Sequence, residues 1–219
     1  LALGKKPSNM TLRVLSALVM GPLFIVAIIF SKLLFCALML LITIGMLYEW
    51  YNMTMSSTLH VLFGCIIVPI STISLAVVAS GGENHWLLLV YFVTIWSVDS
   101  FAMIGGKNIG GPKLAPKISP KKTWSGLITG VAGAAAMVYL LSLIPGFSLQ
   151  QVHCRSHLII AVIFLALIEQ MSDLFISYFK RKFAIKDSGT LIPGHGGVLD
   201  RFDGIILTAP LLLIYYELL

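Results

Sequence analysis

The chain has 219 residues, of which 58% are hydrophobic and only 11% charged, with a mean hydropathy of +0.96 and a net charge of +6. A soluble domain carries roughly 25% charged residues, so the composition excludes a water-soluble fold. It implies an all-α, polytopic integral membrane helix bundle. Three cysteines, Cys36, Cys65 and Cys154, are scattered in or near apolar runs. They match neither a zinc site nor a disulfide framework and read as small packing residues.

Taken in order, the chain begins with a short basic stretch, LALGKKPSNMTLR. No small-residue cleavage site follows a short apolar region, so this stretch reads as the lead-in to a retained helix. Apolar spans are expected at about 12–31, 33–51, 59–80, 86–105, 123–145, 157–179 and 204–219, about seven transmembrane helices in all. They should be helices, because an isolated strand cannot satisfy its backbone in lipid. Two units follow: residues 1–85 with the first three helices, and 86–219 with the last four and two polar loops, 106–122 and 180–203.

The positive charges set the orientation. With the N-terminus inside, Lys5, Lys6, Arg13, Lys107, Lys113, Lys117, Lys121, Lys122, Lys180, Arg181, Lys182, Lys186 and Arg201 face the cytoplasm, and only Lys32 and Arg155 lie outside. That bias obeys the positive-inside rule, puts both polar loops in the cytosol and leaves the C-terminus outside. The net charge therefore reads as topology, and no nucleic-acid partner is expected. Trp50, Trp86 and Trp124 fall near span ends, as an aromatic belt requires. His60, His85, His153 and His157 lie near span ends or connections and read as interfacial or solvated rather than as ligands.

The chemistry-bearing residues concentrate between Ser172 and Gly204. Asp99, Glu169 and Asp173 fall inside expected spans, where a charge costs at least ~2.5–3.5 kcal/mol unless it meets a polar cavity or a partner. Glu169, Asp173 and Ser177 are spaced by four and share one helix face. Asp200 and Asp203 are expected on one face at the start of the last span, where the helix dipole favours them. Asp173, Asp200 and Asp203 at similar depth would make an oxygen-rich site suited to Mg²⁺, with a second cation left open. Lys107, Lys113, Lys117 and Lys122 in one loop, and Lys180, Arg181, Lys182 and Lys186 in the other, could meet a polyphosphate or serve topology. Gly194, Gly196 and Gly197 offer backbone that can approach a phosphate, while His195 is an acid, a phosphate donor or a packing residue. No P-loop pattern is present. Together these parts describe phosphoryl or nucleotidyl transfer at the inner membrane face.

The stretch Ser177…Lys180-Arg181…Lys186-Asp187-Ser188-Gly189…Pro193-Gly194-His195-Gly196-Gly197…Asp200-Arg201…Asp203 closely resembles the signature of phosphatidate cytidylyltransferases, roughly SxxKRxxxxKDxGxxxPxHGGxxDRxD. The run from Asp99 to Trp124, with Lys107, Ser119 and Lys122, looks like the second block of that family. The resemblance implies transfer of a cytidylyl group from CTP to phosphatidate, giving CDP-diacylglycerol and pyrophosphate, with Mg²⁺. It implies metal ligands Asp173, Asp200 and Asp203. The catalytic set it implies is Asp173, Lys180, Arg181, Lys186, Asp187, His195 and Arg201. The substrate-binding set is Asp99, Lys107, Ser119, Lys122, Ser177, Gly196 and Gly197. Its partners would be CTP, phosphatidate and membrane lipids, in a bacterial inner membrane with the site facing the cytoplasm. A homodimer is compatible, although no interface motif is visible. Three positions depart from the pattern: Ser172 stands for a usual Gly, Gly204 for a common Ser, and Gly111 for a frequent basic residue. The alternatives are a related enzyme using CTP with another lipid phosphate, and an ion-coupled transporter using Asp99, Glu169 and Asp173 as a relay.

Overall fold

A computed structural model of the chain describes residues 21–81, 85–149, 155–192 and 196–218. The expected basic start with Lys5, Lys6 and Arg13, the beginning of the first span, His153, Cys154 and the Pro193–His195 segment lie outside the described residues. The helices are α1 (Gly21–Phe30), α2 (Lys32–Thr54), α3 (Thr58–Ser80), α4 (His85–Asn108), α5 (Trp124–Leu141), α6 (Arg155–Lys182) and α7 (Ile205–Leu218).

The breaks between helices follow local chemistry. Ser31 leaves helical geometry (φ −153°) and its Oγ accepts from Leu34 N at 3.2 Å, which caps α2. Thr123 caps α5 in the same way, accepting from Gly126 N at 3.0 Å. α5 stops at Leu141, short of the expected residue 145, with Ser142 at its C-cap and a turn through Pro145 and Gly146 (φ 85°) beyond it.

Five helices, α2 to α6, are long and apolar enough to cross a membrane by length and composition. The described part of α1 and the 14-residue α7 are shorter. At 1.5 Å per residue α7 spans about 21 Å, less than the ~30 Å hydrocarbon core. The all-α expectation gains one addition. The first polar loop folds as a small antiparallel hairpin, β1 (Lys113–Ala115) and β2 (Ser119–Thr123), with Lys113 opposite Thr123 and Ala115 opposite Ser119.

Small residues bring α5 onto α4. A Cβ on Gly126 would lie 2.8 Å from Ala102 O, and one on Gly130 would lie 3.0 Å from Val98 O. Gly126 and Gly130 form the small-xxx-small pattern of close helix pairs, here used within the chain.

Polar bonds zip the other helices. Thr43 donates to Thr72 at 2.7 Å between α2 and α3, and Tyr91 pairs with Thr208 at 2.7 Å between α4 and α7. Pro210 inside α7 has no N–H for Ile206 O, one turn back. Ser71 Oγ of α3 lies 2.7 Å from that carbonyl, sharing its one proton between it and Ile67 O. A backbone group that lipid could not satisfy is thereby met by a neighbouring helix.

The core joins both halves of the chain. Phe24, Phe35, Phe92 and Phe202 form one aromatic cluster, with Phe24 and Phe202 centroids 5.8 Å apart. Trp50 corrects an expectation. It is 1% exposed rather than in an interfacial belt, packs on Phe179 and donates to His60 O at 2.8 Å. Large apolar side chains such as Phe30, Leu33 and Leu41 cover the outside, as a lipid-facing surface requires.

Candidate functional site

Asp99 and Asp173 each stand nine residues before the end of their helix, at Asn108 and Lys182. At helical rise this puts both about 13 Å inside those ends. Between them opens a cavity of about 810 Å³. Asp99, Asp173, Asp200 and Asp203 line it, and so do Lys107, Lys113, Lys121, Lys122 and Arg201. Four carboxylates and five cations thus share one polar chamber between α4, the hairpin, α6 and the turn before α7.

The hairpin reaches into the chamber through Lys122. Its Nζ lies 2.5 Å from Asp173 Oδ2 and donates to Gln170 Oε1 at 3.0 Å. Gln170 Nε2 donates in turn to Glu169 Oε2 at 2.9 Å, so the chain of contacts ends in a fully buried carboxyl. Glu169 Oε1 has no hydrogen-bond partner among the described residues. Asp173 Oδ1 accepts from Ser177 Oγ at 3.1 Å.

The second acidic pair does not stand on a helix, as expected, but in the turns ahead of α7. Leu199 and Phe202 plug this turn into the core at 0% and 8% exposure, and the residues between and after them face the cavity. Asp200 Oδ1 accepts from Lys180 Nζ at 2.8 Å. Its Oδ2 accepts from Ser188 N at 2.8 Å and Gly197 N at 3.3 Å. Burial opposes charge on Asp200, but Lys180 and the Ser188 donors outweigh it and hold the carboxyl below its usual value. Asp203 is the opposite case: burial first, then Asp173 and Asp99, push its carboxyl well above the usual range.

The turn is tied to α6 by Ser172. Its Oγ donates to Asp203 O at 2.5 Å and accepts from Leu207 N at 3.1 Å. Leu207 N is one of the first-turn N–H groups of α7 with no partner in its own helix, so Ser172 caps α7 from a different helix. Gly204 leaves room for Glu169, whose Cγ and Oε1 would both lie 3.2 Å from an added Cβ.

Other expected site residues fall elsewhere. Lys180 is 8% exposed and holds Asp200 instead of lining the cavity. Arg181 donates from Nε to Ile118 O at 3.1 Å and from Nη1 to Ile185 O at 3.0 Å, clasping the hairpin turn to the loop after α6. Lys186 and Asp187 are exposed on that loop, and neither Ser119 nor Ser177 lines the chamber. Gly196 adopts a positive φ of 87° and pairs with Ile192. His195 lies outside the described residues.

Two contributions were missed. Lys121 lines the cavity, whereas the sequence places it on the cytoplasmic side and inside the second block without a role at the site. Glu49, in α2, was not singled out at all. It is 1% exposed and accepts from Ser188 Oγ, Val198 N and Leu199 N at 2.8, 3.0 and 2.8 Å. The available signal was a lone carboxylate in an apolar span, which lipid does not tolerate without partners.

The donor set suits a hard divalent cation. Four aspartates offer oxygen only, although among the described residues no three His, Cys, Asp or Glu side chains are grouped closely enough to hold a metal ion by themselves. Mg²⁺ in general takes one or two carboxylates and completes its shell with water and phosphate oxygens.

Known proteins are similar to the chain over most of its length. A phosphatidate cytidylyltransferase of Rickettsia bellii is 58% identical over 214 residues, covering 97% of this chain and 93% of that protein. The one of Rickettsia felis is 57% identical over 212 residues, covering 96% and 93%. The one of Brucella abortus is 39% identical over 156 residues, covering 69% of this chain and 55% of the longer relative. Residues 54–219, which include every residue that lines the acidic and basic chamber, match the Cytidylyltransferase family, and the chain belongs to it.

Proposed function

We propose that the chain transfers a cytidylyl group from CTP to phosphatidate, giving CDP-diacylglycerol and pyrophosphate. The observation that carries this reading is the single chamber in which four aspartates face five Lys and Arg side chains. Its volume of about 810 Å³ falls within the ~300–1,000 Å³ of small-molecule sites. Its position beside apolar helices lets a lipid phosphate and a soluble nucleotide meet.

In the reaction, an oxygen of the lipid phosphate attacks the α-phosphorus of CTP. A new P–O bond forms, the bond to the β-phosphate breaks, and pyrophosphate leaves with the electron pair. The attacking phosphate is already anionic near neutral pH, so no dedicated general base is required. Lys107, Lys113, Lys121, Lys122 and Arg201 supply the positive charge that a triphosphate and a departing pyrophosphate need. Asp173, Asp200 and Asp203, with Asp99 across the chamber, would hold Mg²⁺. When bound, that ion polarises the phosphoryl oxygens and neutralises developing charge. Lys180 keeps Asp200 ionised and oriented.

The chamber faces the cytoplasm of a bacterial inner membrane in this reading. The excess of Lys and Arg in the two polar loops and the bacterial relatives support it. The shorter helices α1 and α7 would complete a set of seven spans with the N-terminus inside. The test is transfer of label from α-³²P-CTP into chloroform-extractable lipid by purified protein. Label should enter lipid only with phosphatidate and Mg²⁺ together, and EDTA should stop it. Folded protein that moves no label into lipid would overturn the reading.

A further inference from the structure

Ser188 stands between two carboxylates. Its N–H donates to Asp200 Oδ2 and its hydroxyl to Glu49 Oε2, each at 2.8 Å. Glu49 also accepts the N–H groups of Val198 and Leu199, the two residues before Asp200. One buried carboxylate on α2 therefore holds both polypeptide segments that donate to Asp200. The neighbouring backbone is shaped around it. A Cβ on Gly189 would lie 2.4 Å from Glu49 Oε1, and one on Gly197 would lie 2.5 Å from Oε2. A side chain at either place would push the Glu49 carboxylate out of its present position.

We propose that Glu49 is a positioning residue for the cytidylyl transfer, setting the turn that carries Asp200, Arg201 and Asp203. It lies outside the 54–219 family match and touches neither the chamber nor the reacting atoms. Its action runs through Ser188 and the amides of Val198 and Leu199. A carboxylate with three donors, two of them adjacent amides, fixes backbone more firmly than apolar packing does, because every lone-pair contact is directional. Chemistry that depends on in-line placement is sensitive to shifts of about 1 Å, which can cost ~10²-fold. The inference rests on the proposed transfer reaction for its kinetic arm only.

The test uses full-length protein in detergent, with Glu49→Gln and Ser188→Ala. Gln keeps the volume of Glu but turns an N–H₂ group toward at least one backbone N–H. Kinetically, Glu49→Gln should lower kcat roughly tenfold to hundredfold while the KM for phosphatidate stays within about twofold. The double variant should be no worse than the poorer single one, since both act on one link. Hydrogen exchange, read on peptides over 196–203, gives an answer independent of turnover. In Glu49→Gln those amides should exchange faster while peptides of α4 and α6 keep wild-type protection. Unchanged protection at 196–203 overturns the proposal, and so does a kcat loss that only tracks the fraction of unfolded protein. Wild-type protein without transfer activity would sink the reaction assigned above, and the exchange experiment would still decide whether Glu49 holds the turn.

Discussion

Lys122 Nζ and Asp173 Oδ2 meet at 2.5 Å, joining the hairpin to α6 in the lining of the chamber. The pair is only about one-fifth exposed, at 17% and 21%. Lys122 is thus placed by a carboxylate at the spot where a phosphate would want it. Replacing it by Gln keeps the stem and removes the charge. Lys122→Gln should lower kcat/KM for CTP about 10²-fold, the scale for one electrostatic contact to a reacting group. Phosphatidate-dependent label transfer at varied CTP measures it. Wild-type kcat/KM would remove Lys122 from the site.

Asp200 and Asp203 should behave alike in turnover and differently in stability. Either change to Asn should abolish label transfer if both hold the cation. Asp200→Asn also leaves the Lys180 ammonium buried without its counter-charge, at 10% exposure for each partner. Breaking such a pair costs roughly 3–5 kcal/mol. Asp203 instead sits among Asp173 and Asp99, which with burial push its carboxyl upward. A neutral amide there should cost little or should stabilise. Thermal midpoints in detergent, beside the activity assay, separate the two. A larger loss for Asp203→Asn would contradict this electrostatic reading.

Helices and charge bias were legible in the sequence because lipid imposes long apolar runs and few charges. The carboxylates of the chamber were legible for the same reason: Asp99 and Asp173 are out of place in grease. What stayed hidden were the partners. Nothing in the spacing says that Lys180 turns to Asp200 while Lys121 turns to the chamber, because both lie in basic runs of equal character. Arg181 reads as a phosphate ligand until its two carbonyl partners are seen. Trp50 near a span end reads as a belt residue, yet α6 covers it with Phe179. The hairpin is not legible because its strands, KLA and SPKKT, are short, and the second is polar and contains proline.

Ser71 and Pro210 should be coupled although they are on different helices. Ser71→Ala leaves Ile206 O without a donor, since Pro210 cannot supply one. A buried unsatisfied carbonyl costs about 1–3 kcal/mol. With Pro210→Ala present, residue 210 regains an N–H that can reach Ile206 O within α7. The penalty of Ser71→Ala should then shrink to well under half, measured as thermal midpoints of the four proteins in one detergent. Additive effects would show that Ser71 does not serve that carbonyl.

Relative to the signature that the sequence resembles, Ser172 adds a hydroxyl and Gly204 lacks one. The two changes lie on opposite sides of the α6–α7 contact, and Ser172 there serves both Asp203 O and Leu207 N. Ser172→Gly, the residue the pattern favours, should therefore be harmful in this chain. It removes a helix cap worth ~0.5–2 kcal/mol and adds glycine entropy of ~0.5–1 kcal/mol inside α6. The loss should fall first on the turn carrying Asp203, so label transfer at saturating substrates should drop before the helices melt. Gly204→Ser alone should not restore it, because its Cβ would meet Glu169 at 3.2 Å. Activity and thermal midpoint for both single variants and the pair decide the matter. A Ser172→Gly protein of wild-type stability and turnover would show that the hydroxyl does not hold α7 to α6.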